Sequence, residues 1–231
     1  MERDLTRGDI RKGILLFSAP LIAGNLLQQL YNIVDTWVVG RFLGSVALGA
    51  VGSAFSLMTL ITSLLTGLCM GAGVVMSRLY GQGDREGYRR AMGNAFAGIA
   101  LAALALEAAA FGLLESVLGW MRVPAEAVGD LRGYLSVVFW GIAFTFLYNF
   151  FATALRSVGN SAAALWFLLC ATLMNIALDL WFVTGLGWGV EGAALATVIA
   201  QAASAGGIAV YCLCRMGSLR PGLRHLRPDR R

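Results

Sequence analysis

Two aspartates sit where a water-soluble helix would be unremarkable and a membrane helix would not. Asp35 lies near the end of a long apolar run, Gly13 to Gly40, that reads as a membrane-spanning helix. A carboxylate at the centre of such a helix costs about 2.5–3.5 kcal/mol on insertion scales, and residues of this kind mark ion and substrate pathways. The run also holds Asn25, Gln28, Gln29 and Asn32. Asn25, Gln28, Asn32 and Asp35 follow one another at helical spacing, which places them on one stripe. Such a stripe predicts a wet path through protein, with Asn25, Gln28 and Asn32 as its walls. A second run repeats the theme with Asn175 and Asp179, spaced i, i+4 on one face.

Paired carboxylates flanked by amides suit cation coupling in two ways. Like charges held close in a low dielectric cannot both ionise cheaply, so such a pair can take up and release a proton. Alternatively, Asp oxygens joined by Asn and Thr oxygens make a hard site suited to Na⁺. The residues leave H⁺ and Na⁺ both open. Structural readings stand beside these. Asp35 could cap or hydrogen-bond a neighbouring helix, Asp179 could be a packing contact, and Asn25, Gln28 and Asn32 could bond between helices. Glu107, a third acid in an apolar run, has no polar companions and reads as an outer-half residue reaching toward water.

The elements that must position these groups are all helical. The 231 residues are 58% hydrophobic and 13% charged, about half the charged fraction of a soluble domain. An all-α, polytopic six-transmembrane-helix bundle is predicted. Its spans are about 13–40, 51–76, 91–114, 135–155, 163–184 and 193–214, followed by a basic segment, 215–231, read as a cytoplasmic tail or the start of an inter-lobe linker. Pro20 predicts a bend in the first span. Gly67, Gly71 and Gly73, and Ala193, Ala194, Ala196 and Ala202, are expected to let helices approach closely. The loop 115–133 is expected to hold a short interfacial helix.

Of the 18 Lys and Arg residues, 15 fall at the N-terminus, the 2–3 and 4–5 connections and the tail; Arg41, Arg122 and Arg132 lie on the other side. By the positive-inside rule both termini face the cytoplasm. The net charge of +5 thus follows loops that flank a lipid bilayer and does not point to nucleic acid. Cys69, Cys170, Cys212 and Cys214 lie in apolar segments without metal spacing, and read as small buried apolar residues. The turn Gly81–Asp84 lacks the Lys-Ser/Thr and preceding strand of a phosphate loop. Trp37, Trp140, Phe144, Tyr148, Trp166 and Trp181 read as lipid-facing or interfacial, with a cation–π lining of a substrate path as the alternative.

Several stretches together resemble the multidrug and toxic compound extrusion (MATE) family. They are Ala19–Ile22, Gln29–Thr36 closing on Gly40–Gly44, Tyr80–Asp84, Ala154–Asn160, Asn175–Asp179 and Glu191–Thr197. The look is closest to the prokaryotic branch that includes the DNA-damage-inducible F proteins. The resemblance implies one six-helix lobe of a transporter that has two, with no enzyme activity, no catalytic residues and no cofactor. It implies a cation-coupling site of Asp35, Asp179, Asn175, Thr197 and Tyr134, able to hold Na⁺ at Asp35, Asp179, Asn175 and Thr197 if Na⁺ is the ion. The expected function is H⁺- or Na⁺-coupled antiport exporting amphipathic, cationic organic compounds across a prokaryotic plasma membrane. A homodimer or a second lobe would complete it. A non-transporting fragment or subunit, and a lipid-linked oligosaccharide flippase, are the competing readings.

Overall fold

The structure, a computed structural model, describes residues 10–215 and 217, with side chains from 18 onward and at Leu15. The basic segment expected at 215–231 lies outside it apart from Arg215 and Gly217. The elements run α1 (Ile10–Phe42), α2 (Gly44–Gly81), α3 (Arg85–Gly112), α4 (Leu114–Met121), α5 (Ala125–Val138), α6 (Gly141–Ser157) and α7 (Ser161–Asp179). A π-helical turn (Leu180–Gly185) continues α7, and α8 (Gly189–Arg215) follows. The described residues are helices and turns, in keeping with an all-α membrane bundle.

Local chemistry sets the boundaries. Gly83, at φ +75°, turns the chain out of α2, and the Asp84 carboxylate accepts the Gly87 N–H at 2.8 Å to start α3. Asn160 does the same for α7, accepting from Ala163 N–H at 3.2 Å after Gly159 at φ +84°. These are the N-cap arrangements that satisfy a helix's first free donors. The Gly81–Asp84 segment is therefore a tight turn. The helix α1 continues through Pro20. The loop expected at 115–133 is largely helical: α4 closes on Arg122, at φ +47°, and α5 starts as early as Ala125.

Among the described residues, four helices are long and apolar enough to cross a membrane: α2, α3, α7 with its π turn, and α8. The α5–α6 pair makes a fifth if its 46° bend lies within one span. The fourth expected span, 135–155, is thus the inner part of a longer, broken element. At the break Trp140 N–H turns back to Val137 O and Ile142 N–H to Phe139 O, three residues away. Gly141 leaves room there for the end of the Gln201 side chain of α8, whose Oε1 lies 2.5 Å from where a Cβ would stand. The helix α1 is 33 residues long, ~50 Å at 1.5 Å per residue. The part of α1 whose side chains are described carries Asn25, Gln28, Gln29, Asn32 and Asp35 and is less apolar than these spans.

The core lies around α6, which packs on α2, α3 and α8; α7 joins α8 to α1. Phe96 of α3 meets Phe146, Phe150 and Phe151 of α6 at centroid distances of 5.2–6.0 Å. Close approach uses fewer small residues than expected. Gly73 lies against Thr153, where a Cβ would overlap the threonine methyl, whereas Gly67 and Gly71 meet nothing. Ala193, Ala194 and Ala196 are fully buried in α8. Trp37, Trp140, Trp166 and Trp181 lie exposed on the outside of the bundle.

Glu107 departs from expectation. It is only 8% exposed, and its Oε2 is buried without a partner. It lies one turn before Phe111, whose ring meets Phe139 and Trp140 at the α5–α6 break. Packing of α3 in that corner, and not reach toward water, sets its environment. Cysteine burial is also split: Cys69 and Cys212 are buried, but Cys170 and Cys214 are exposed on the apolar exterior.

Candidate functional site

Three helices bring the polar residues of the bundle together. From α1 come Tyr31 and Asp35, one helical turn apart. From α7 come Asn175 and Asp179, also one turn apart, at the point where the helix widens into the π turn. From α8 comes Thr197. Asp35 is 8% exposed, and Asn175 and Asp179 are fully buried. The Thr197 hydroxyl oxygen joins the three elements: it accepts from Tyr31 Oη at 3.2 Å and from Asn175 Nδ2 at 3.4 Å. Tyr134 of α5 is buried beside them, within electrostatic reach of Asp35, Tyr31 and Asp179.

The two carboxyl groups face each other within hydrogen-bonding reach. Asn175 also lies within hydrogen-bonding reach of Asp179, but its Nδ2 donates to Thr197. Asp35 Oδ1, both oxygens of Asp179 and Asn175 Oδ1 are buried and have no hydrogen-bond partner among the described residues. Buried acceptors are nearly always satisfied in folded proteins. The carboxylate and amide oxygens gathered here make a buried site of negative polarity. A proton shared between the carboxyls would answer two of the oxygens. A small hard cation would suit more of them, since carboxylate and amide oxygens are ligands of that class.

All five residues expected at the coupling site, Asp35, Asp179, Asn175, Thr197 and Tyr134, lie together in this cluster. Tyr31 was not anticipated. Its signal was present in the sequence, since it precedes Asp35 by four residues and shares its face. The residues expected to wall a substrate path do not join the cluster. Asn25 and Gln28 are exposed on the flank of α1, and Asn32 turns sideways to Gln29 Oε1 at 3.4 Å. The single polar stripe is thus divided. At 100° per residue Asn32 and Asn25 lie about 60° and 80° round the helix from Asp35. The helix α1 packs mainly on α7 and α2, so its buried sector is too narrow to include those two, whereas Gln28 lies only about 20° round the helix from Asp35 and is exposed two turns further along the axis.

The MatE family model matches residues 20–181, which carry four of the five expected site residues and Tyr31. The chain belongs to the MatE family. Among curated proteins, the probable multidrug resistance protein YpnP of Bacillus subtilis is 33% identical over 200 residues, covering 86% of this chain and 44% of that protein. The multidrug export protein MepA of Staphylococcus saprophyticus is 27% identical, covering 97% of this chain and 50% of its own length. Among solved structures, an outward-facing multidrug resistance MATE transporter of the MOP superfamily superposes with a TM-score of 0.89 at 28% identity, over 98% of this chain and 50% of that one. A MATE protein in the bent conformation gives 0.85 at 30% identity, again over half its length. The MatE chain described here therefore spans about half the length of the relatives it matches.

Proposed function

We propose that this chain is one lobe of a cation-coupled exporter of small amphipathic organic compounds, and that Asp35 and Asp179 carry the coupling ion. The observation that carries the reading is the pair of buried carboxyls facing each other, with Asp35 Oδ1 and both Asp179 oxygens lacking a hydrogen-bond partner among the described residues. Their charge must be neutralised from outside the protein, and an ion that arrives from one side and leaves on the other would supply the drive. Asn175 and Thr197 hold the pair's surroundings, Tyr31 fixes Thr197, and Tyr134 closes the cluster on the α5 side. The coupling ion is H⁺ or Na⁺. Family membership supports transport rather than enzyme chemistry, and the relatives named for multidrug export support an organic, cationic substrate.

The same proposal places all six spans, α1 included, in a prokaryotic plasma membrane with both termini cytoplasmic, as the basic residues favour. Alternating access needs two bodies that move against each other. A second lobe, supplied by a second copy or by further chain, therefore belongs to the functional unit. The exposed α1 flank with Asn25, Gln28 and Asn32 is then a surface facing that second body, along which substrate passes. Coverage of half of each relative favours one other reading, a subunit that does not transport alone.

The test is efflux of an organic cation from proteoliposomes under an imposed pH or Na⁺ gradient, using the chain as a dimer or fused to a second lobe. Asp35→Asn and Asp179→Asn should each abolish gradient-driven efflux while leaving membrane insertion intact. Glu107→Gln, outside the cluster, should keep most activity. Wild-type efflux from both aspartate variants would remove the carboxyl pair from the mechanism.

A further inference from the structure

Arg156 occupies the last turn of α6, ~22 Å along the helix from Gly141 at 1.5 Å per residue. Each Cα–Cβ bond of an α-helix leans toward the helix N-terminus, so this side chain is directed back into the bundle and away from the connection that follows. The buried Cys69 of α2 and Tyr148, about two turns earlier on α6, lie within electrostatic reach of it. Its Nε is sealed from solvent and has no hydrogen-bond partner among the described residues.

No carboxylate answers it. At the same end of the bundle Arg89 and Arg90 both meet Glu86, at 3.6 and 3.4 Å. Arg156 forms no ion pair among the described residues. The Tyr148 hydroxyl donates to Ala164 O at 3.0 Å. A guanidinium remains charged at any pH a protein meets, and a partly buried one without an anion is costly. Its rigid fork of N–H donors matches a carboxylate or phosphate two bonds at a time.

Depth chooses between these anions. The α5–α6 span is centred near its break at Gly141. A side chain leaning back from Arg156 ends about 15 Å from that centre, at the edge of a hydrocarbon core about 30 Å thick. Phosphate groups of membrane lipids stand at this level.

We propose that Arg156 is an anion-binding site for a phosphate oxyanion, supplied at this depth by a phospholipid headgroup or by soluble phosphate. The site uses none of the residues of the carboxyl cluster.

The experiment titrates the purified chain in detergent with dioleoylphosphatidylglycerol, read by native mass spectrometry, and separately with inorganic phosphate, read by calorimetry. Wild type should retain the lipid, and Arg156→Gln should bind it about tenfold more weakly, the loss of one charge-assisted pair. Arg156→Lys keeps the charge but not the fork and should fall between; it decides the question if Arg156→Gln does not fold. Arg78→Gln removes an exposed arginine from the same end and should bind as wild type. Binding of inorganic phosphate alone, lost in Arg156→Gln, keeps the site and assigns it to a soluble source. Equal lipid loss in Arg78→Gln would reduce the effect to diffuse surface charge and overturn the proposal. So would failure to bind either probe, or self-association lost in Arg156→Gln with lipid and phosphate binding unchanged.

Discussion

Replacing Asp35 by Asn should stabilise the lobe while stopping transport. In the native cluster both oxygens of Asp179 are buried without a hydrogen-bond partner among the described residues, with the Asp35 carboxyl and the Asn175 amide within reach. An asparagine at position 35 has nearly the same size and carries two N–H donors. It can give one of them to Asp179, and it removes the like charge. A hydrogen bond to a charged acceptor contributes about 1.5–3 kcal/mol in water-exposed folding, and measured bonds between membrane helices average nearer 0.6 kcal/mol. An increase of about 1–2 kcal/mol is expected. For a chain of this size that corresponds to a rise of about 2–8 °C in Tm. The assay is thermal unfolding in detergent, followed by a thiol-reactive dye that reports the buried Cys69 and Cys212. The gain should widen as the pH is raised, because the wild type can then carry two like charges facing each other and the variant at most one. A lower Tm in Asp35→Asn, or a gain that shrinks with rising pH, would refute the picture of two mutually unsatisfied carboxyls.

Three further outcomes follow from particular contacts. Gly73→Ala drives a Cβ into the Thr153 methyl and should cost about 1–3 kcal/mol; Thr153→Ser, which deletes that methyl, should recover most of it in the double variant. Thr197→Val strands the Tyr31 and Asn175 donors and should lower stability by about 1–3 kcal/mol, whereas Thr197→Ser should be nearly silent, both read as Tm. In a cysteine-free background, a membrane-impermeant maleimide applied outside cells should label a cysteine at Ala125 and spare one at Gln82, with the reverse pattern overturning the both-termini-inside arrangement.

The helical membrane character was legible because composition and long apolar runs report it directly. Asn175 and Asp179 could be placed on one face by their spacing. That Asp35 lies opposite Asp179, across more than half the chain, could not be derived from spacing and came from likeness to a family. The split of the α1 stripe was hidden because periodicity says which residues share a face, not how wide a sector the neighbours cover. Glu107 misled for a similar reason: an isolated acid in an apolar run looks solvent-seeking until the packing of Phe111 against the α5–α6 break is seen. The break itself left little trace, since it contains no proline and its contact, Gly141 leaving room for Gln201, lies between distant residues. The orphaned Arg156 was counted among the loop cations because its Cα lies at a helix end.

The π-helical turn at Leu180–Gly185 begins immediately after Asp179. A π turn is an α-helix that has accepted one extra residue. Deleting one residue between Leu180 and Gly185 would restore an ordinary helix and leave the face carrying Asn175 and Asp179 where it is. The wider turn absorbs its extra residue, so the deletion would leave the direction of the following backbone nearly unchanged and would shift which residues occupy the turn, displacing buried Phe182 and Val183. The extra residue thus acts as a local adjuster: it sets which side chains after Asp179 face the packed core without redirecting the helix.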